Sequence, residues 1–292
     1  EIWHYFDKGS RSINLKARTW LRLTVWQEET DHIIYAGALG WSNFGKLIMI
    51  EFETYHENLE INDSDIVTGM TDRHVVEWTA NESPDVCKNI FIHHQLVNPL
   101  NELKSEAANY GFNLCVCSGY RSFAQQASIW NGKLSGQRDV LGSNGKVLSL
   151  EGLSDIQKIE AILRWSALPG ASRHHWGSDI DVFDGAAMPN NYQLRLVPEE
   201  TIEGGMFAPM HAWLDKKLDS NNGFFRPYNI DNGGLAPERW HLSYAPIARN
   251  FANLLTPELI KNCLMTHKIS LHATVIKNLH EIYRRFISND IS

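Results

Sequence analysis

Apolar residues recur along this chain with two periods, and each predicts a different kind of element. Leu100, Leu103 and Ala107 follow Asn98-Pro99 at helical spacing and run out at Gly111. A helix is expected there, with Asn98 as N-cap and Pro99 at the first helical position. Residues 113–118 read as a short strand, and Ser122 with Gln125 three residues on is a capping box opening a helix that runs to Asn131-Gly132. Ile156, Ile159, Ile162 and Leu163 put one apolar face on a helix over 155–165, closed by Pro169-Gly170. Met210, Trp213, Leu214 and Leu218 mark another, ending at Asn222-Gly223. Val275, Ile276, Leu279, Ile282, Tyr283, Phe286 and Ile287 form a stripe that predicts a core-facing helix near the end. The strands between these helices are few and short, so the pattern predicts an α+β fold rather than a doubly wound parallel sheet.

Residues 1–62 differ from the rest of the chain. They carry Trp3, Trp20, Trp26 and Trp41, strand-like stretches over 33–36 and 47–52, and nothing that ties to chemistry. They are expected to form an extension of unassigned role, and residues 63–292 the domain that carries the chemistry. A hydrophobic share of 43% against 21% charged places the chain among folded globular proteins. A net charge of −7 without a Lys/Arg block gives no nucleic-acid footprint, and no apolar run approaches the ~20 residues of a membrane-spanning helix. Cys87, Cys115, Cys117 and Cys263 have neither zinc-finger nor redox spacing. Cys115 and Cys117 share a strand face, which suits core thiols better than a disulfide.

Chemistry concentrates in Ser172-Arg173-His174-His175-Trp176-Gly177-Ser178-Asp179-Ile180-Asp181 and in Glu238-Arg239-Trp240-His241. His174 and Asp181 are seven apart, which on a straight strand would put them on opposite faces. Gly177 between them can bend the chain so that a loop imidazole and a strand carboxylate converge. Asp179, Asp181 and Phe183 then line one strand face and Ile180 and Val182 the other. Acidic side chains beside an apolar face call for a bound cation. In the second segment Trp240, Leu242 and Tyr244 are expected to face the core, and His241 and Ser243 the cleft. His174, Asp181 and His241 would leave an open position on a metal, with Glu238 near enough to serve as a general base. His175 stands as the alternative ligand to His174. Arg121, after a strand, offers a permanently charged fork for a carboxylate or an oxyanion; on the plainer reading it is a surface salt-bridge residue.

Ser172-x-His174-x-x-Gly177-x-Asp179-x-Asp181 followed by Glu238-x-Trp240-His241 resembles the zinc D-alanyl-D-alanine carboxypeptidases, including the vancomycin-resistance enzymes. These are grouped with lysostaphin-type peptidases and hedgehog domains. The family pattern is Ser-x-His-x-x-Gly-x-Ala-x-Asp and then Glu-x-x-His, so Asp179 stands where Ala is usual and adds charge beside the metal. Ser118-Gly119-Tyr120-Arg121-Ser122, with Gln126 downstream, is similar to a third element of the family, and all three occur in order over roughly 63–290. The resemblance implies a small antiparallel sheet flanked by helices, with Zn²⁺ in a cleft across the sheet on His174, Asp181 and His241. It implies Glu238 as the base that moves a proton from water to the leaving amine, with Arg121 assisting. Tyr120, Gln126 and Ser172 would line the substrate pocket. The implied reaction removes the terminal D-Ala of a peptidoglycan stem peptide, in the periplasm or cell envelope. Cutting an L,D bond, an endopeptidic cut and a cytoplasmic role in recycling wall peptides stay open. A different class is also open: hedgehog domains imply that the fold can keep zinc and serve only for binding.

Overall fold

A computed structural model describes residues 11–15, 19–23, 62–81, 87, 89–143, 145–220 and 222–288. The chain divides into two compact units, Glu1–Glu60 and Ile61–Ser292. In the first, β1 (Arg11–Leu15) and β2 (Thr19–Leu23) pair antiparallel. The strands expected over 33–36 and 47–52 lie outside the described residues.

The second unit is α+β, as the pattern predicted. It runs α1 (Asp63–Val67), β3 (Val75–Glu77), β4 (Phe91–His93), α2 (Val97–Asn109), β5 (Leu114–Ser118), α3 (Phe123–Leu134), α4 (Asp155–Leu163), β6 (Asp179–Asp184), α5 (Pro198–Thr201), α6 (Ala208–Leu218), β7 (Phe224–Phe225), β8 (His241–Tyr244), α7 (Ala245–Leu254), α8 (Pro257–Thr266), α9 (His272–Lys277) and α10 (Leu279–Ile282). β3 and β4 form a small antiparallel pair, and the main sheet is antiparallel in the order β5-β6-β8-β7. Strand alternation sorts its two faces. Leu114, Val116, Ile180, Val182 and Leu242 join the principal core with residues of the surrounding helices, among them Leu100, Leu103, Ile159, Ile162, Met210, Leu214 and Phe251. The opposite face carries a small apolar group, Cys115 with Phe183 and Phe207. Further along the same face stand Asp179, Asp181, His241 and Ser243, all buried.

Several boundaries depart from expectation. α2 begins at Val97, directly after a 3-10 turn over His94–Leu96, so Asn98 lies inside the helix and caps nothing. Pro99 is tolerated because its missing N–H falls in the first turn, where no intrahelical acceptor exists. The capping box of Ser122 and Gln125 is present in both directions, at 3.2 and 2.8 Å. The C-terminal stripe does not form one helix. Its buried residues Val275, Leu279, Ile282 and Phe286 fall on α9, α10 and a wide turn over Tyr283–Ile287. The break sits at Asn278, whose side-chain amide donates to the Thr274 carbonyl at 2.8 Å and competes with the helical ladder.

Gly177 is the bend that the motif required. It closes a 3-10 turn over Arg173–Trp176 in the left-handed region, at φ +65°. A Cβ there would lie 2.7 Å from the His93 backbone nitrogen, which itself donates to the Gly177 carbonyl at 2.8 Å. Gly177→Ala is expected to cost about 1–3 kcal/mol from the backbone conformation alone, and more from the clash. Chemical denaturation measures this, and an unchanged unfolding midpoint would contradict it.

Candidate metal centre

The bend at Gly177 and the register of two strands bring the predicted ligands together. Asp181 on β6 is the direct cross-strand partner of His241 on β8, and the turn before β6 brings His174 over them. One ligand atom from each of the three lies within 4.8 Å of the others, and all three side chains are buried. The His174 and His241 rings meet edge to face at 4.8 Å.

Hydrogen bonds on the far side of each ring decide which nitrogen points inward. His174 Nδ1 faces the Gly119 carbonyl at 2.9 Å and donates to it, leaving Nε2 directed at Asp181 Oδ2, 3.4 Å away. His241 Nε2 faces Asp179 Oδ1 at 3.0 Å, leaving Nδ1 directed at Asp181 Oδ1, 3.2 Å away. Asp181 Oδ1 and His241 Nδ1 are both buried without a geometrically good hydrogen bond. Buried polar atoms of native proteins are rarely left so, and a small cation between them satisfies both. Two imidazoles and one carboxylate form a donor set that fits Zn²⁺.

The charges of the cluster act on one another. Burial works against ionised Asp181, but His174 and His241 outweigh it and hold the carboxyl far below its usual range. Burial alone would lower His241. Its hydrogen bond to Asp179 and the negative charge of Asp181 beside Nδ1 prevail and carry it to about 9.

Glu238 follows Pro237 in a turn in which its own N–H donates to the Tyr228 carbonyl at 2.9 Å, and the His241 N–H donates to the Glu238 carbonyl at 3.1 Å. Its carboxylate oxygen stands 3.7 Å from His241 Nδ1, and its side chain remains 13% exposed. Burial, reinforced by Asp181, pushes the carboxyl up to about 7, against the pull of His241, Arg121 and Lys133. A carboxyl poised near neutrality suits proton transfer.

Arg121 is fixed on three sides: Nη1 to Gln126 Oε1 at 2.8 Å, Nη2 to Ser118 Oγ at 2.9 Å, and its backbone N–H to the His174 carbonyl at 3.1 Å. A β-bulge between Val116 and Ser118 sets Ser118 opposite Asp181 and so beside the guanidinium.

Four expectations are corrected. Gln126 is fully buried and its amide also donates to the Ala167 carbonyl at 2.7 Å, so it props Arg121 rather than lining a pocket. Ser243 does not face the cleft: it is fully buried and accepts from Arg173 Nη2 at 2.7 Å. His175 is no alternative ligand, because Nδ1 donates to the Arg121 carbonyl at 2.6 Å and Nε2 accepts from the Gly170 N–H at 3.2 Å. Burial above all drops its pKa to about 3, which keeps it neutral. Asp179 does not add a loose charge, because it is paired with Arg173 at 2.7 Å. Tyr120 is half-buried with its hydroxyl on the Thr71 carbonyl at 2.9 Å. The Ser172 hydroxyl is buried with no hydrogen-bond partner among the described residues.

Sequence reading did not single out Arg173, Tyr228 or Lys133. Arg173 adjoins His174 in the motif and could have been matched to the surplus acid at 179. Tyr228 lies edge-on to His241 at 4.9 Å and had no signal. Burial first of all lowers Lys133 to about 8, while the charge of Glu238 opposes that fall, so the ammonium sits within electrostatic reach of Glu238.

An α+β domain with a His–Asp–His group beside a buried, near-neutral glutamate has the design of a metallopeptidase. Residues 89–247 match the family described as VanY: D-alanyl-D-alanine carboxypeptidase, and the chain belongs to that family. Two uncharacterized proteins of Haemophilus influenzae are similar. One is 41% identical over 104 residues, covering 36% of this chain and 68% of that protein. The other is 31% identical over 122 residues, covering 41% and 92%. Among solved structures, VanYB in complex with D-alanine-D-alanine is similar at 20% identity and a TM-score of 0.42, over 68% of this chain and 91% of that one. The LdcB LD-carboxypeptidase is similar at 21% identity and a TM-score of 0.44, over 67% and 85%.

Proposed function

We propose that residues 63–292 form a zinc-dependent carboxypeptidase domain that removes the terminal D-Ala from the D-Ala-D-Ala end of peptidoglycan stem peptides. The observation that carries this reading is the convergence of His174, Asp181 and His241 on one point, with the Glu238 carboxylate 3.7 Å from His241 Nδ1. Membership of the VanY family supports the substrate class.

His174 through Nε2, Asp181 through its carboxylate and His241 through Nδ1 would hold the ion. When bound, zinc supplies Lewis acidity that lowers the pKa of a water toward ~7 and polarises the scissile carbonyl. Glu238 takes the proton of the attacking water and delivers it to the leaving amine. Arg121 holds the free carboxylate of the substrate, its fork kept in place by Gln126 and Ser118. Ser172 and Tyr120 remain the candidate substrate contacts from the motif. A wall substrate puts the protein in the periplasm or cell envelope; among the described residues no helix is long and apolar enough to cross a membrane.

Arg121→Ala is expected to lower kcat/KM by about 10–10²-fold, the equivalent of a charge-assisted hydrogen bond of about 1.5–3 kcal/mol. Zinc stoichiometry should stay the same. Unchanged kinetics on a peptide with a free C-terminus would remove Arg121 from the site.

The defining experiment incubates zinc-loaded protein with purified stem pentapeptide beside a chelator-treated control, read by mass spectrometry. Metal-dependent loss of one terminal alanine is expected. Attack confined to tetrapeptide would make the domain an L,D-carboxypeptidase, and an internal cut an endopeptidase. No cleavage by protein that holds one zinc would point to a binding module.

A further inference from the structure

A buried cluster stands behind His241, outside the roles given above to His174, Asp181, His241, Glu238 and Arg121. Asp179 is completely buried, and both of its carboxylate oxygens are engaged. Oδ1 accepts from Arg173 Nε at 2.7 Å and from His241 Nε2 at 3.0 Å, and Oδ2 accepts from the Ser178 hydroxyl at 2.7 Å. Arg173 is buried as well. Its other arm donates to Ser243 Oγ at 2.7 Å, and its guanidinium lies over the Trp176 ring at 4.6 Å. Ser243 is the cross-strand partner of Asp179. Arg173 therefore bridges the same two strands that Asp181 and His241 bridge two pairs further along.

An imidazole offers a metal the nitrogen that does not carry its proton, and the other N–H needs an acceptor that fixes both tautomer and ring angle. His174 finds this acceptor in a backbone carbonyl. His241 finds it in a carboxylate that Arg173 and Ser178 hold in place. We infer that Asp179, held by Arg173 and Ser178, is a positioning residue that locks His241 in the Nε2–H tautomer and aims Nδ1 at the metal. An alanine in its place could not do this. The inference rests on the zinc reading and concerns how the ion is held, not which peptide is cut.

The test is zinc affinity, measured by competition with a chromophoric chelator, together with the visible spectrum of the Co²⁺-substituted protein. Asp179→Ala is expected to weaken zinc binding by about 10–10²-fold and to alter the Co²⁺ bands. Asp179→Asn is the informative partner: its Oδ1 can still accept from both Arg173 and His241, and its amide can donate to Ser178 Oγ. It should restore affinity to within about threefold of wild type. Since Asp179→Ala strands a buried guanidinium, the double variant Arg173→Met with Asp179→Ala is measured too, and the same loss is expected. Wild-type affinity and an unchanged Co²⁺ spectrum in either folded Ala variant would overturn the inference while leaving the metal site intact. A wild-type protein that binds neither ion would overturn the metal reading, and this inference with it.

Discussion

Glu238→Gln is expected to lower kcat by about 10²–10⁴-fold, the usual worth of a general acid–base group, or about 2.7–5.4 kcal/mol of barrier. The substitution keeps the size of the side chain and removes only its ability to take a proton. Glu238 stands beyond the three converging ligands, 3.7 Å from His241 Nδ1, so the variant should still bind one zinc. Its titration gives a second signature. Burial raises the carboxyl to about 7 in the metal-free chain, and a bound cation favours the ionised form and brings it lower. A base must be ionised to act, so kcat/KM of the wild type should climb with pH on an acid limb below about pH 7. Residual activity of the Gln variant should lack that limb. A variant that keeps near wild-type turnover would leave Glu238 without a role in proton transfer.

Removal of the metal should abolish turnover, and readdition of Zn²⁺ should restore it. The same manipulation should change stability in a pH-dependent way. In the stripped protein His241 is raised from an ordinary 6.5 to about 9 by its hydrogen bond to Asp179 and the charge of Asp181. That contribution to stability is full below about pH 6.5 and disappears as pH rises through about 9. Asp179 behaves oppositely. Burial opposes its ionisation, but Arg173 first of all, then His241 and Ser178, holds it down to about 2. Its contribution is present above about pH 3.9 and is lost as pH falls toward 2. Zinc must displace the proton that His241 Nδ1 carries in the stripped protein, so affinity should rise with pH, by up to about tenfold per unit, until about pH 9. The gap in melting temperature between zinc-loaded and stripped protein should therefore widen from pH 6.5 to 9. Scanning fluorimetry at three pH values would measure it, and a constant gap would mean that no proton is exchanged for the ion.

Local chemistry was legible in the sequence, and tertiary partners were not. The capping box at Ser122 and the apolar alternation through Ile180 and Val182 depend on residues a few positions apart, and both appear as read. The left-handed turn at Gly177 is local too. Asn98 failed as a cap because the chain already turns at His94–Leu96, directly after β4. Gln126 was placed by the family resemblance and Ser243 by strand alternation, and neither can say that Ala167 and Arg173 already occupy them. Asp179 was legible as an anomaly. Its resolution needed a residue six positions back, brought alongside by the bend.

The pairing of Asp181 with His241 has a consequence for folding. The two strands are separated in sequence by α5, α6 and β7, so their alignment must be found across a long connection. Side chains alternate along a strand, and β6 slipped by one residue would present Ile180 to His241 from the wrong face. A misaligned sheet would then hold no ion at all. On the proposed zinc reading, only chains whose two central strands have met in step could hold the ion.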